Sequence, residues 1–221
     1  MYMLRSDARK RARHVRKALT DYPLFEPPHR GNLIQLPRDA FEENKWFFLE
    51  NKAGRIHALS EFLRKFDVSL GLDDAGVAAV SAWLPDYGGL LAWRLWHPKV
   101  ERAFFDFAGP WTGKLRGLNT IFDLGIYFGE CLIARNPRLR WLIFGGAGSA
   151  TAPPPKTGSS MSGFLIEGWI KGLDPIWLMH LECSNLQKIE NVFYFSARRR
   201  AEMAFSQPDN FSRSVNAYAK R

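Results

Sequence analysis

Arg116, Asn119, Asp123, Tyr127 and Glu130 follow one another at spacings of three, four, four and three in the proline-free stretch from Lys114 to Arg135. On a helix turning about 100° per residue, these spacings gather all five side chains into about a quarter of the circumference. Two carboxylates, a guanidinium, an amide and a phenol on one stripe suit three uses: a hydrogen-bonded seam, a ligand or partner site, or catalysis. Asp123 and Glu130 stand about 10 Å apart along such a helix. Paired carboxylates that hydrolyse glycosides stand about 5–9.5 Å apart, so a hydrolase using Asp123 and Glu130 is marginal on geometry.

The other chemistry-bearing groups are less well arranged. His180 and Glu182 alternate onto one face if their segment is a strand, with Cys183 beside them. The H-x-E pair is that of zinc deaminases, but the P-C-x-x-C partner is missing. His14, His29, His57 and His97 are scattered without metal-ligand spacing. Lys156-Thr157 follows Pro155, where a phosphate-binding loop requires glycine, and three consecutive prolines remove three backbone donors. No metal, no cofactor and no catalytic residue are expected from these patterns.

The elements that must position the stripe follow from periodicity. The rest of the 114–135 stretch carries Leu115, Leu118, Ile121, Phe122, Leu124, Ile126, Phe128, Leu132 and Ile133. A helix apolar over most of its circumference is buried. Asp123 and Glu130 are therefore expected to be mostly buried and paired, with Arg116, Asn119 or backbone donors among their partners. Upstream, Pro23, Pro27, Pro28 and Gly31 make 21–37 an extended connector, and Pro37-Arg38-Asp39 opens a helical stretch that Gly54 could divide. Asp73 or Asp74 caps a further helix that Pro85 should stop. Residues 90–96 read as a short helix or strand, and 97–113 as an irregular aromatic segment whose rings serve packing.

Downstream, short apolar runs at Leu139–Phe144, Phe164–Ile170, Ile176–Leu181 and Val192–Phe195 predict a small, antiparallel C-terminal sheet. Residues 145–163 hold five Gly, three Pro and four Ser and read as a flexible loop. The expected fold class is α+β, with helices from 38 to 135 around a central helix and strands over about 139–195. Residues 21–196 form a single domain in this reading, with a basic arm at 1–20 and a basic tail at 197–221.

Charge divides in the same way. The net charge is +9, of which residues 1–20 hold +6 and 197–221 hold +4, leaving −1 for 21–196. A domain that grips phosphate through its own surface carries its charge in its body. Nucleic-acid binding is thus expected only through the ends, at Arg9, Lys10, Arg11, Arg13, Arg198, Arg199 and Arg200. The N-terminal segment reads as a solvated basic arm able to form an amphipathic helix; its Arg content is that of a mitochondrial presequence, its low serine content is not. No apolar h-region follows the charges, which argues against secretion, and no apolar run reaches the about 18 residues of a membrane span. With 46% hydrophobic and 14% aromatic residues the chain can bury a sizeable core, and Cys131 and Cys183, without a CxxC, fit a reducing compartment.

Leu124-Gly125-Ile126-Tyr127-Phe128-Gly129-Glu130, followed by Pro137 and Trp141, resembles uncharacterised bacterial domain families with an L-G-x-Y-x-G-E helix and a tryptophan-bearing strand, over about residues 113–145. Some of these families occur near polymorphic-toxin immunity genes. The resemblance implies a bacterial, cytosolic α+β protein with no established activity. Independently of it, Gly125 and Gly129 form a small-residue face that another element can approach closely. The leading expectation is a non-enzymatic interaction protein, immunity-like, whose partner is another protein. Nucleic-acid association through the termini and hydrolysis at Asp123 and Glu130 are the alternatives.

Overall fold

The apolar circumference of the central stretch becomes helix α5, Gly117–Arg135, in a computed structural model of the chain that describes residues 2–146, 162–168, 173–192 and 210–219. A 3-10 turn, Gly113–Leu115, leads into it. Leu118, Ile121, Phe122, Leu124, Ile126 and Leu132 are fully buried, under other helices, the 21–37 connector and the first strand. Before α5 come α1 (Tyr2–Ala18), α2 (Arg38–Arg64), α3 (Asp74–Tyr87), a 3-10 turn at Gly88–Leu90 and α4 (Pro98–Phe105). After it come β1 (Arg140–Ile143), β2 (Phe164–Glu167), α6 (Pro175–Val192) and α7 (Asn210–Ala219). Helices α2, α6 and α7 pack on α5. The fold is α+β, and β1 and β2 pair antiparallel with Trp141 opposite Ile166 and Ile143 opposite Phe164.

The two glycines of α5 serve close approach, each to a different element. A Cβ at Gly125 would lie 2.8 Å from Ile176 Cα in α6, and one at Gly129 would overlap the Trp141 ring of β1. Phe122 is the hub of the aromatic core: its ring centroid lies 4.4 Å from that of Phe25, 5.5 Å from Phe164 and 5.8 Å from Trp111. Phe104, Phe105, Phe107 and Trp111 are all buried, so the aromatic segment is packing material as expected.

Several elements differ from the sequence reading. Ile176–Leu181 is not a strand but the first part of α6, and Val192 ends that helix. Asp174 acts as its N-cap, accepting from the Trp177 N–H at 2.8 Å, and Pro175 occupies the first helical position. A six-residue apolar run does not distinguish strand from buried helix; the Asp-Pro pair does. The segment 97–113 contains α4, started the same way by His97, whose ring accepts from the Lys99 N–H, and Pro98. Gly54 lies within an unbroken α2 with open space around it. Pro85 sits inside the last turn of α3 instead of stopping it, while Asp73 caps that helix as expected.

Both ends depart from peripheral arms. Val15 and Ala18 of α1 and Leu19 just after it are buried, and the Lys65 ammonium donates to the Ala18 carbonyl at 2.9 Å. In the tail, α7 buries Phe211 and Val215, and Phe211 stacks on Tyr127 at 5.9 Å. Amphipathic spacing within short basic segments is enough to dock them once a complementary apolar surface exists. Most of the 145–163 loop lies outside the described residues.

Candidate functional site

Asp123 is wholly buried on α5 and is gripped from two other elements. Arg55 of α2 donates from Nε to Oδ1 at 2.8 Å and from a terminal nitrogen to Oδ2 at 2.7 Å, a bidentate pair. The Tyr22 hydroxyl donates to Oδ2. Arg55 also donates to the Pro23 and Leu24 carbonyls at 3.1 Å, so one guanidinium ties α2, the 21–37 connector and α5 together. Burial pushes the Asp123 carboxyl up to about 6 against the opposing pull of Arg55 and Tyr22, and it remains ionised at neutral pH. Burial likewise raises the Tyr22 phenol, with the neighbouring Asp123 charge adding to it.

The other four members of the stripe are also used within the fold. Asn119 accepts from the Phe25 N–H at 2.7 Å and donates to the Trp111 carbonyl at 2.9 Å and the Arg116 carbonyl at 2.7 Å. Arg116 holds the Leu19 and Thr20 carbonyls at the end of α1. Tyr127 donates to the Gly71 carbonyl at 2.6 Å, and burial raises its phenol. Glu130 is only partly buried; its Oε1 accepts from Lys52 at 2.6 Å and from the Trp141 indole at 2.7 Å. The expected partners of the carboxylates are thus corrected: neither Arg116 nor Asn119 reaches Asp123 or Glu130. The stripe is not one closed ring of mutual partners: Arg116, Asn119 and Asp123 tie α5 to residues 19–25, Asp123 and Glu130 tie it to α2, and Tyr127 ties it to Gly71.

Sequence reasoning missed Arg55, Tyr22, Lys52 and Trp141 as the partners. Arg55 had a signal. Phe48, Leu59 and Phe62 are buried on α2, and Arg55 stands seven residues after Phe48 and four before Leu59. A cation inside an apolar stripe at helical spacing needs a buried anion. Tyr22, Lys52 and Trp141 had none, because their pairing depends on how distant segments meet.

The remaining candidates resolve singly. His180 lies on a helix, not a strand, stacked on Phe104 at 4.8 Å and edge-on to Phe105 at 5.1 Å. Burial lowers its pKa to about 4, and its buried Nε2 has no hydrogen-bond partner. Cys131 and Cys183 are buried free thiols; burial pushes Cys131 up to about 11 and Cys183 higher, so both are inert. Among the described residues no group of three or more His, Cys, Asp or Glu could hold a metal. A cavity of about 300 Å³ is lined by Ser60, Arg64, Asp67, Val68, Ser69 and Leu70 and includes none of the stripe residues.

Comparison with models of known families, with curated proteins and with solved structures finds no match. Among the described residues no helix is long and apolar enough to cross a membrane. Of the cationic candidates, Arg9, Lys10 and Arg13 are exposed on α1, while Arg11 turns inward and bonds the side chain and carbonyl of Asp86. Arg198, Arg199 and Arg200 lie outside the described residues, as do Lys156 and Thr157.

Proposed function

We propose that this chain is a bacterial, cytosolic interaction protein, immunity-like, that binds another protein and performs no chemistry of its own. One observation supports the reading most: the polar groups best suited to chemistry spend their hydrogen bonds inside the fold. Asp123 has no exposed surface and satisfies both its oxygens on Arg55 and Tyr22. By contrast Trp46, Trp93, Trp96 and Trp177 are exposed. Exposed indoles are typical anchors of protein interfaces. The resemblance of the Leu124–Glu130 motif to families found beside polymorphic-toxin genes supplies the kind of partner.

The test is to produce the chain together with the product of an adjacent toxin-like gene and to measure complex formation by sedimentation velocity. A stoichiometric complex that neutralises the toxin in growing cells is the expected result. Turnover of chromogenic glycosides, esters or phosphoesters, abolished by Asp123→Asn, would replace this reading with hydrolysis. Binding of nucleic acid by the full chain, with a steep salt dependence, would favour the role of the basic ends instead.

A further inference from the structure

The loop between the Gly88–Leu90 turn and α4 is built to hold two indoles outward. Leu91, Ala92 and Leu95 are buried, whereas Trp93 is 48% and Trp96 40% exposed. Gln187 of α6 pins the loop from below. It accepts from the Leu95 N–H at 2.6 Å and donates to the Gly89 and Ala92 carbonyls at 2.8 and 2.7 Å. Arg94 between the indoles has φ +44°, a left-handed conformation that costs a side-chain-bearing residue energy. The surroundings therefore enforce the exposure of Trp93 and Trp96.

Two cations lie over the Trp93 indole. The Arg94 guanidinium carbon lies 4.9 Å and the Lys114 nitrogen 5.6 Å from the Trp93 ring centroid. The backbone N–H of Trp93 donates to the Lys114 carbonyl at 3.3 Å. Two residues on, Arg116 holds the Leu19 and Thr20 carbonyls, so the C-terminal end of α1 is anchored beside this loop. That helix docks through Val15 and Ala18 and leaves Arg9, Lys10, Arg13, Arg16 and Lys17 exposed.

We infer that the Trp93–Trp96 loop and the adjoining basic face of α1 dock on an anionic lipid bilayer, with both indoles entering the headgroup boundary and the cations meeting lipid phosphates and carboxylates. Charge complementarity and residue type select this occupant. Four to eight Lys or Arg on an amphipathic helix is the pattern that anionic lipid surfaces attract, and tryptophan is the side chain that settles at the bilayer interface. A single-stranded nucleic acid would stack its bases on free ring faces, but Arg94 and Lys114 already lie over Trp93. The inference takes Trp93 and Trp96 from among the exposed indoles that also support the protein-partner reading, and vesicle binding tests it apart from complex formation with a protein.

The experiment is co-sedimentation of the full chain with vesicles of phosphatidylcholine alone or mixed with phosphatidylserine. Partitioning onto the phosphatidylserine vesicles should exceed that onto phosphatidylcholine by about tenfold and weaken as salt is added. The Trp93→Ala, Trp96→Ala double variant should lose about tenfold in partitioning while keeping the parent's melting temperature. Arg94→Glu with Lys114→Glu should lose at least as much, and gives the answer should the tryptophan variant misfold. Equal partitioning onto both vesicle types, or unchanged partitioning in both variants, would each overturn the inference.

Discussion

Asp123 and Glu130 occupy one stripe of one helix, two turns apart, yet they live in different media. Asp123 has no exposed side-chain surface, and its partner Arg55 is 9% exposed. Glu130 is 16% exposed and its partner Lys52 28%. In the first pair desolvation is nearly complete, and the carboxylate is tolerable only because a fork of donors and a phenol replace its water. In the second, solvent still screens the charges, and the indole N–H of Trp141 donates a further hydrogen bond to the same carboxylate oxygen. The difference teaches that helical position chooses which residues face inward, while the depth of cover chooses what an ion pair is worth.

The largest test of that contrast is Arg55→Met. It leaves a buried carboxylate with Tyr22 alone and should cost about 3–5 kcal/mol at pH 7 by urea denaturation. Adding Asp123→Leu should recover much of the loss, because the uncompensated charge leaves with it. A single variant as stable as the parent would break the comparison.

A buried group whose nitrogen lacks a partner sharpens it. His180 has its pKa lowered from 6.5 to about 4 by burial. As pH falls, the unfolded chain takes up this proton first, so the group withdraws stability between about pH 6.5 and 4. His180→Phe has nothing to protonate and should gain on the parent by about 3 kcal/mol across that window. Parallel curves for parent and variant would mean that the imidazole reaches water. Asp123 has the opposite sign: its raised pKa favours the folded state in acid, a contribution lost as pH rises through about 6.

Between the two carboxylates, Gly125→Ala should cost about 1–3 kcal/mol, since its Cβ meets the α6 backbone at Ile176 and a helix backbone yields less cheaply than a side chain. A neutral effect would show that α6 can move away from α5. The smallest effect is expected for Lys52→Met, below about 1 kcal/mol and shrinking further in high salt. A loss as large as that of Arg55→Met would erase the distinction between the two ends of the stripe.

Much of the fold could be read from local pattern. The burial of α5, the capping of α3 by Asp73, and the strands at Trp141 and Leu165 all follow from periodicity and turn chemistry. The helices α4 and α6 were legible too, in His97-Pro98 and Asp174-Pro175, but an apolar or aromatic run drew attention away from the cap that decides such cases. For the candidate site, the stripe residues were identifiable and their partners were not. Asp123 pairs with residues 68 and 101 positions away in the chain. Periodicity carries no information across such separations.

The sequence by itself determined which faces are apolar, where helices can start, and that a polar stripe on a central helix must find partners. Each of these depends on neighbours within one or two turns, where backbone geometry sets which side chains share a face. Only the tertiary structure decided that Arg55, not Arg116, neutralises Asp123, that the basic N-terminal segment docks through Val15 and Leu19, and that Trp93 and Trp96 face outward. Those outcomes depend on which distant surfaces meet and how completely they exclude water, and solvent exclusion is a property of the packed whole.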